Sequence, residues 1–140
     1  MTQDAPHPIA LEELLFLKVH VSAIPGHVYQ EDAPPLEPEN NLQVEEIKGE
    51  QGRYQAVMKT VVNPEGNKSN PYQIDIECMA LLFADNTLDK KEAMRGVTIT
   101  AHSVLFGAIR ETVAWLTGRQ PYGPLMLGLS VLRPRKPTDT

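Results

Sequence analysis

The residues of this 140-residue chain that could do chemistry are few: His7, His20, His27, His102, the single Cys78, and carboxylates such as Asp75. A nucleophile needs a base within hydrogen-bond reach, and a metal needs ligands whose spacing converges on one point. His102 and Ser103 adjoin, but consecutive helix residues point about 100° apart and cannot pair as base and nucleophile. No histidine stands at metal-ligand spacing from another or from Cys78. The chain has neither a glycine-rich phosphate loop nor a nucleophile elbow. Cys78 falls mid-strand on an apolar face, where a buried inert thiol is the common outcome. His20, His27 and Asp75 remain as one loose polar group. The pattern predicts no catalytic residue, no metal, no cofactor and no enzyme.

With chemistry set aside, composition bounds the rest. A length of 140 fits one domain with a proper core. No run of about 18 apolar residues exists to span a membrane. The N-terminal stretch carries Asp4, Glu12 and Glu13 and no basic region, so it does not read as a secretory signal. One cysteine fits a reducing compartment, which makes cytoplasm the expected location. A net charge of −5 argues against nucleic acid, because phosphate binding needs a basic surface. Residues 31–50 hold seven acidic side chains against Lys48 alone, with Pro34, Pro35 and Pro38, and read as an extended, solvated crossing loop.

Period-two patterns predict four strands. In residues 14–23, Leu15, Leu17, Val19, Val21 and Ala23 share one face, with Lys18, His20 and Ser22 opposite. Residues 42–48 and 53–62 give a second and a third strand, the latter rich in β-branched and aromatic residues. The polar loop 63–71 must join two antiparallel neighbours. The fourth strand, 71–84, is the most informative. Tyr72, Ile74, Ile76, Cys78, Ala80 and Leu82 line one face throughout. The other face changes midway from Gln73, Asp75 and Glu77 to Met79, Leu81 and Phe83. Its second half must either be covered twice or keep one side for a partner.

A helix is expected from Thr98 or Thr100, either of which could cap it, to Gly118 in a left-handed C-terminal cap with Pro121 just beyond. Ala101, Val104, Leu105, Ala108, Trp115 and Leu116 form its stripe, widened by Phe106, Ile109 and Val113. That arc spans roughly 200°, about twice what a one-sided surface helix requires. The remaining side is mostly small: Ser103, Gly107, Ala114 and Gly118. No second strong helix exists to cover the excess, so a second copy of the chain is the expected cover. Ser103, Gly107 and Ala114, with Ile74, Ile76 and Cys78 on the fourth strand, are the candidate contacts between copies. An undersized core is the competing reading.

Two stretches resemble the SecB family of protein-export chaperones. PGHVYQED, residues 25–32, is similar to the family's short P-H-V-[FY]-Q-x-D segment after its first strand. VLFGAIRETVAWLTGRQPYGPLMLGLSVL, residues 104–132, is similar to its main helix and following extended segment. There Leu105, Phe106, Arg110, Glu111, Arg119, Tyr122, Leu125 and Leu127 match its residues or their like. The resemblance covers roughly residues 14–132. It implies an α+β fold: a four-stranded antiparallel sheet with one long helix in the C-terminal half, assembling into a dimer or dimer of dimers. It implies a holdase that keeps unfolded or precursor polypeptides in hydrophobic grooves without ATP. Carried over by position, Val28, Tyr29, Tyr72, Leu81, Phe83, Tyr122, Leu125 and Leu127 would bind client; Met79 joins them from the strand pattern.

Residues 1–13 are expected to be a flexible N-terminus, 14–132 the domain, and 133–140 a disordered basic tail. That tail, RPRKPTDT, stands where the family has a final helix and an acidic tail, and the acidic tail is one of the places where the family engages the SecA motor. The crossing loop has Ala33-Pro34-Pro35 where the family often has tryptophan. Lys18, His20 and Ser22 occupy first-strand positions where the family is acidic. Export duty through SecA is therefore less supported than chaperone shape. A relative dedicated to one client, such as an antitoxin or a secretion-system component, is the alternative. A dimeric scaffold that binds no client is the third reading.

Overall fold

The computed structural model describes residues 8–32 and 36–128. Four strands and one helix follow in order: β1 (Ile9–Ala23), β2 (Glu39–Glu46), β3 (Arg53–Val62), β4 (Tyr72–Ala84) and α1 (Lys90–Thr117). The strands form one antiparallel sheet in the order β1-β4-β3-β2. The expected four-stranded α+β architecture is the one observed.

The period-two pattern of β4 becomes a two-faced strand. Tyr72, Ile74, Ile76, Cys78, Ala80 and Leu82 are each no more than 1% exposed. Their partners Tyr54, Ala56, Met58, Thr60 and Val62 on β3 lie on the same face. α1 covers that face with Ala93, Val97, Ala101, Leu105, Phe106, Ile109, Val113 and Thr117. The two buried polar side chains inside it are satisfied: Thr60 Oγ1 donates to Asn40 Oδ1 and Thr117 Oγ1 to Val113 O, each at 2.6 Å.

β1 ends at Ala23 as expected but departs from expectation at its start and in its middle. It starts at Ile9, so residues 9–13, expected to lie in a flexible N-terminus, are strand. Ile9 pairs with Ala84 and is 7% exposed, which anchors this end in the core. The alternation is also broken twice, between Leu11 and Glu13 and between Phe16 and Lys18, where β1 carries one residue more than β4. Each extra residue reverses the phase. Phe16, Val19, Val21 and Ala23 consequently share the helix side, while Leu15, Lys18, His20 and Ser22 share the outer side. Leu15 was expected beside Val19, and the second bulge separates them. β2 likewise begins three residues earlier than expected, at Glu39.

The helix starts about two turns before Thr98, at Lys90. Asp89 caps it, its carboxylate accepting from Glu92 N–H at 2.8 Å. Asp89 and Glu92 have the spacing of a capping box. Gly96 and the β-branched run 97–100 weaken the helix locally, and burial of Ala93 and Val97 overrides that. Gly118 is right-handed at φ −61°, not the left-handed cap expected. The chain instead continues in tight turns, Arg119 N–H to Leu116 O and Gln120 N–H to Thr117 O. The left-handed glycine comes later, at Gly123 (φ 82°).

Beyond the helix, residues 118–128 fold back as a strap. Gln120 Nε2 donates to Val21 O, Tyr122 Oη to Ile24 O, and Tyr72 Oη to both Gly123 O and Thr117 O. Leu125 N–H donates to Thr117 Oγ1, and Arg110 Nε donates to Leu127 O at 2.6 Å. Leu127 ends 2% exposed in the core. The tail 133–140 lies outside the described residues.

Candidate functional site

The second face of the sheet carries no helix among the described residues, and the register places its side chains in rows. Leu15, Met79 and Val57 form one row across β1, β4 and β3. Glu13, Leu81 and Gln55 form the next, and Ala10, Phe83 and Arg53 the one beyond. Leu17, the bulge residue, is 53% exposed; Leu15 is 42% and Phe83 40% exposed. Met79, Leu81 and Val57 are half-buried. Leu15, Val57, Met79, Leu81 and Phe83 make one open apolar patch centred on β4. Exposed patches of this kind mark partner sites more often than scattered apolar residues do.

Charge frames the patch at both ends. On one side, Lys18 Nζ meets Asp75 Oδ2 at 2.7 Å and Lys59 meets Glu77 at 3.9 Å. The hydrogen bond from Lys18 to Asp75, reinforced by the carboxylate's charge, raises the lysine's pKa above its ordinary value. On the other side, Arg53 lies 3.5 Å from Glu12 and 3.6 Å from Glu50. Exposed pairs like these add little stability but keep the polar ends wet.

A second exposed group lies at the far end of the sheet. Val28 and Tyr29 are 60% and 78% exposed, and Tyr122 is 40% exposed. Tyr122 stands edge-on to His27 at 5.0 Å and to Tyr72 at 5.9 Å. His27 Nδ1 lies 2.7 Å from Lys68 O, and Val28 N–H donates to the same carbonyl, which ties this loop to loop 63–71.

Met79, Leu81 and Phe83 are thus together and open; Tyr122 is also open but packs on Tyr72, seven to eleven strand residues away or about 23–36 Å along β4, with Val28 and Tyr29 at the same end. Two expected client residues must be corrected. Tyr72 is 1% exposed and Leu127 is 2% exposed, because the strap closes over one and the helix over the other. Burial is the main cause that lifts the Tyr72 phenol above its usual range. Leu125 is half-buried against the core. Leu15, expected on one face with Val19, joins the patch because the bulge after Phe16 separates the two, and Val57 joins it through its register opposite Met79.

The expected contacts between copies divide as well. Ile74, Ile76 and Cys78 are 0% exposed beneath α1 of their own chain and cannot meet a second copy. Ser103 and Gly107 are exposed and Ala114 is half-buried, and nothing lies within 4 Å of a side chain built at Gly107. Trp115, expected in the main stripe, is 62% exposed with Arg119 5.2 Å above its ring, and Ile99 is 50% exposed. α1 runs over β4 and its neighbours, so Leu11, Phe16 and Val19 of β1 stay 37–47% exposed on the helix side.

The polar group His20, His27 and Asp75 does not assemble. His20 faces Asp75 across the β1–β4 ladder and bonds Ser22 at 3.2 Å, while His27 is at the sheet's end. Burial pushes the Cys78 thiol up to about 11, the wrong direction for a nucleophile.

An antiparallel four-stranded sheet of this order, backed by one long helix and a folded-back strap, is the SecB-like fold. The solved SecB-like chaperone Rv1957 of Mycobacterium tuberculosis, in complex with a ChAD peptide from the HigA1 antitoxin, superposes with a TM-score of 0.65 at 18% identity, covering 91% of this chain and 94% of that one. A protein of unknown function from Streptococcus agalactiae matches at a TM-score of 0.54 and 13% identity, over 89% of this chain and 100% of that one. No family model matches the sequence, and no curated protein does.

Proposed function

We propose that this chain is a holdase chaperone, binding unfolded or non-native polypeptide on its open sheet face without ATP and without turnover chemistry. The observation that carries this reading is the patch of Leu15, Val57, Met79, Leu81 and Phe83, left open among the described residues while the opposite face of β4 is sealed under α1. Affinity drawn from apolar area rather than fixed hydrogen bonds suits clients of varied sequence. The peptide held by the structurally similar Rv1957 supports polypeptide binding, and because that peptide comes from an antitoxin it favours a dedicated client over general export. Handoff to the SecA motor is expected to be weak, since Arg133, Arg135 and Lys136 replace an acidic tail. Cytoplasm is the compartment this role implies.

Suppressed aggregation of a denatured model protein tests the reading. Leu81→Asp with Phe83→Asp should abolish suppression while the folded sheet persists. A chain that never slows aggregation is the scaffold instead.

Self-association belongs to the same proposal. The exposed stripe of α1 runs Ile99, Ser103, Gly107, Glu111 and Trp115, symmetric about Gly107, so an antiparallel pair would set Ile99 on Trp115. A mid-helix glycine costs about 1 kcal/mol relative to alanine, and among the described residues nothing lies close enough to require it. The edge of β1 adds a second open surface. Gly107→Trp should lower the sedimentation mass if the helix stripe is the contact; an unchanged mass assigns assembly to β1.

A further inference from the structure

At the α1 N-terminal end of the molecule, a cavity of about 510 Å³ opens between the β2–β3 turn, the end of β4 and the first turn of the helix. Tyr54, Phe83, Leu88 and Ala93 supply its apolar wall, and Glu46 and Asp85 its carboxylates, against Lys90 alone. Burial first, then the charge of Glu46 and its hydrogen bond from the hydroxyl, lifts the Tyr54 phenol above its usual range. Glu45 and Glu50 flank the opening in sequence. Phe83 belongs both to this cavity and to the open patch.

The strap aims the chain toward this cavity. Leu125 N–H is held at Thr117 and Leu127 O at Arg110, so the strap runs antiparallel to α1, back toward the helix start. From Arg110 to Ala93 or Lys90 is about 26–30 Å at about 1.5 Å per helical residue. From Leu127, an extended chain at about 3.3 Å per residue covers about 20 Å by residue 133 and about 30 Å by residue 136. Those positions hold Arg133, Arg135 and Lys136, preceded by Leu129, Val131 and Leu132.

We propose that residues 129–136 of the same chain dock at this cavity, with Arg133, Arg135 and Lys136 meeting Glu46 and Asp85, and so compete with client for Phe83. The docking stands on direction, reach and charge; the competition rests on the polypeptide-binding reading above. The tail is then a built-in occupant that an incoming polypeptide must displace, and the site opens more readily where salt screens the charges.

A nitroxide on Thr138→Cys reads the docking, because native Cys78 is buried and escapes the label. Expected is broadening of the amide signals of Glu46, Gly52 and Lys90, with those of Asn63 and Asn67 at the far end spared. The charge-reversed chain Arg133→Glu/Arg135→Glu/Lys136→Glu should lose the broadening. Equal signals with active and reduced nitroxide at Glu46, Gly52 and Lys90 overturn the proposal. In a mixture of labelled chains with isotope-enriched unlabelled ones, broadening of the enriched chains overturns same-chain docking. Reduced, carboxymethylated α-lactalbumin is the unfolded probe for the second half. It should bind the charge-reversed chain about tenfold tighter if the tail occupies nine-tenths of wild-type molecules. Equal affinity for both overturns the competition. Broadening that stands while the probe binds neither chain supports the docking and defeats the polypeptide-binding reading.

Discussion

The two faces of β4 differ by one position in register and by their whole chemistry. Even-numbered residues from Tyr72 to Leu82 are sealed under α1, whereas Met79, Leu81 and Phe83 are as apolar and stay open. Hydrophobicity alone therefore does not decide burial in this sheet; the presence of a covering element does. The same lesson holds at β1, whose helix-side Leu11, Phe16 and Val19 outrun the width of a single helix. Apolar surface left open among the described residues is the kind that marks partner sites, which is the basis of the polypeptide-binding proposal.

The sharpest way to break the contrast is to place one charge on each face. Ile76→Asp puts an unpaired carboxylate at a 0% exposed site and should prevent folding at ordinary temperature, whereas Leu81→Asp should leave the circular-dichroism melt close to wild type. Equal loss of stability from both would show that the open face is covered in the working protein. Next in size, Leu105→Ala should cost about 2–5 kcal/mol by denaturant titration, against less than about 1 kcal/mol for Leu15→Ala on the open side.

Cys78 sharpens the contrast through pH. Burial raises its pKa from 9.0 to about 11, so the unfolded thiol ionises first. Its contribution is fully present below pH 9 and is lost as pH climbs toward 11. Stability of the wild type should fall over that window more steeply than that of Cys78→Ala, and a thiol reagent at pH 8 should react only on unfolding. The smallest effect belongs to the polar frame: Lys18→Met should leave the circular-dichroism melt indistinguishable from wild type, since Lys18 is exposed and water screens its pairing with Asp75. A clear loss would mean the ion row is covered by a partner.

How much of this was legible in the sequence follows from how regular each element is. β4 keeps strict alternation, so both of its faces could be assigned without a structure. α1 could be recognised from residues 101–116, but its first turns carry Gly96 and a β-branched run that only burial of Ala93 and Val97 explains. Tyr72 and Leu127 were expected at the surface only through the resemblance: the alternation already put Tyr72 on the sealed face, whereas Leu127 is core because the strap folds back, and no periodicity announces a strap. The bulges in β1 are the clearest loss. Nothing in LLFLKVH marks Leu17 as the residue without a partner.

That unpartnered residue has a genetic consequence. β1 uses fifteen residues where β4 uses thirteen, so two positions are surplus to the ladder. Deleting Leu17 would leave Phe16 opposite Cys78 and Lys18 opposite Glu77, a regular strand in the same frame. Deleting Val19 two residues later would bring the next residues onto the wrong sides, His20 toward the helix and Val21 toward solvent. In a library of single-codon deletions across β1, survivors should therefore cluster at 12 and 17, the positions where the strand already holds a spare residue.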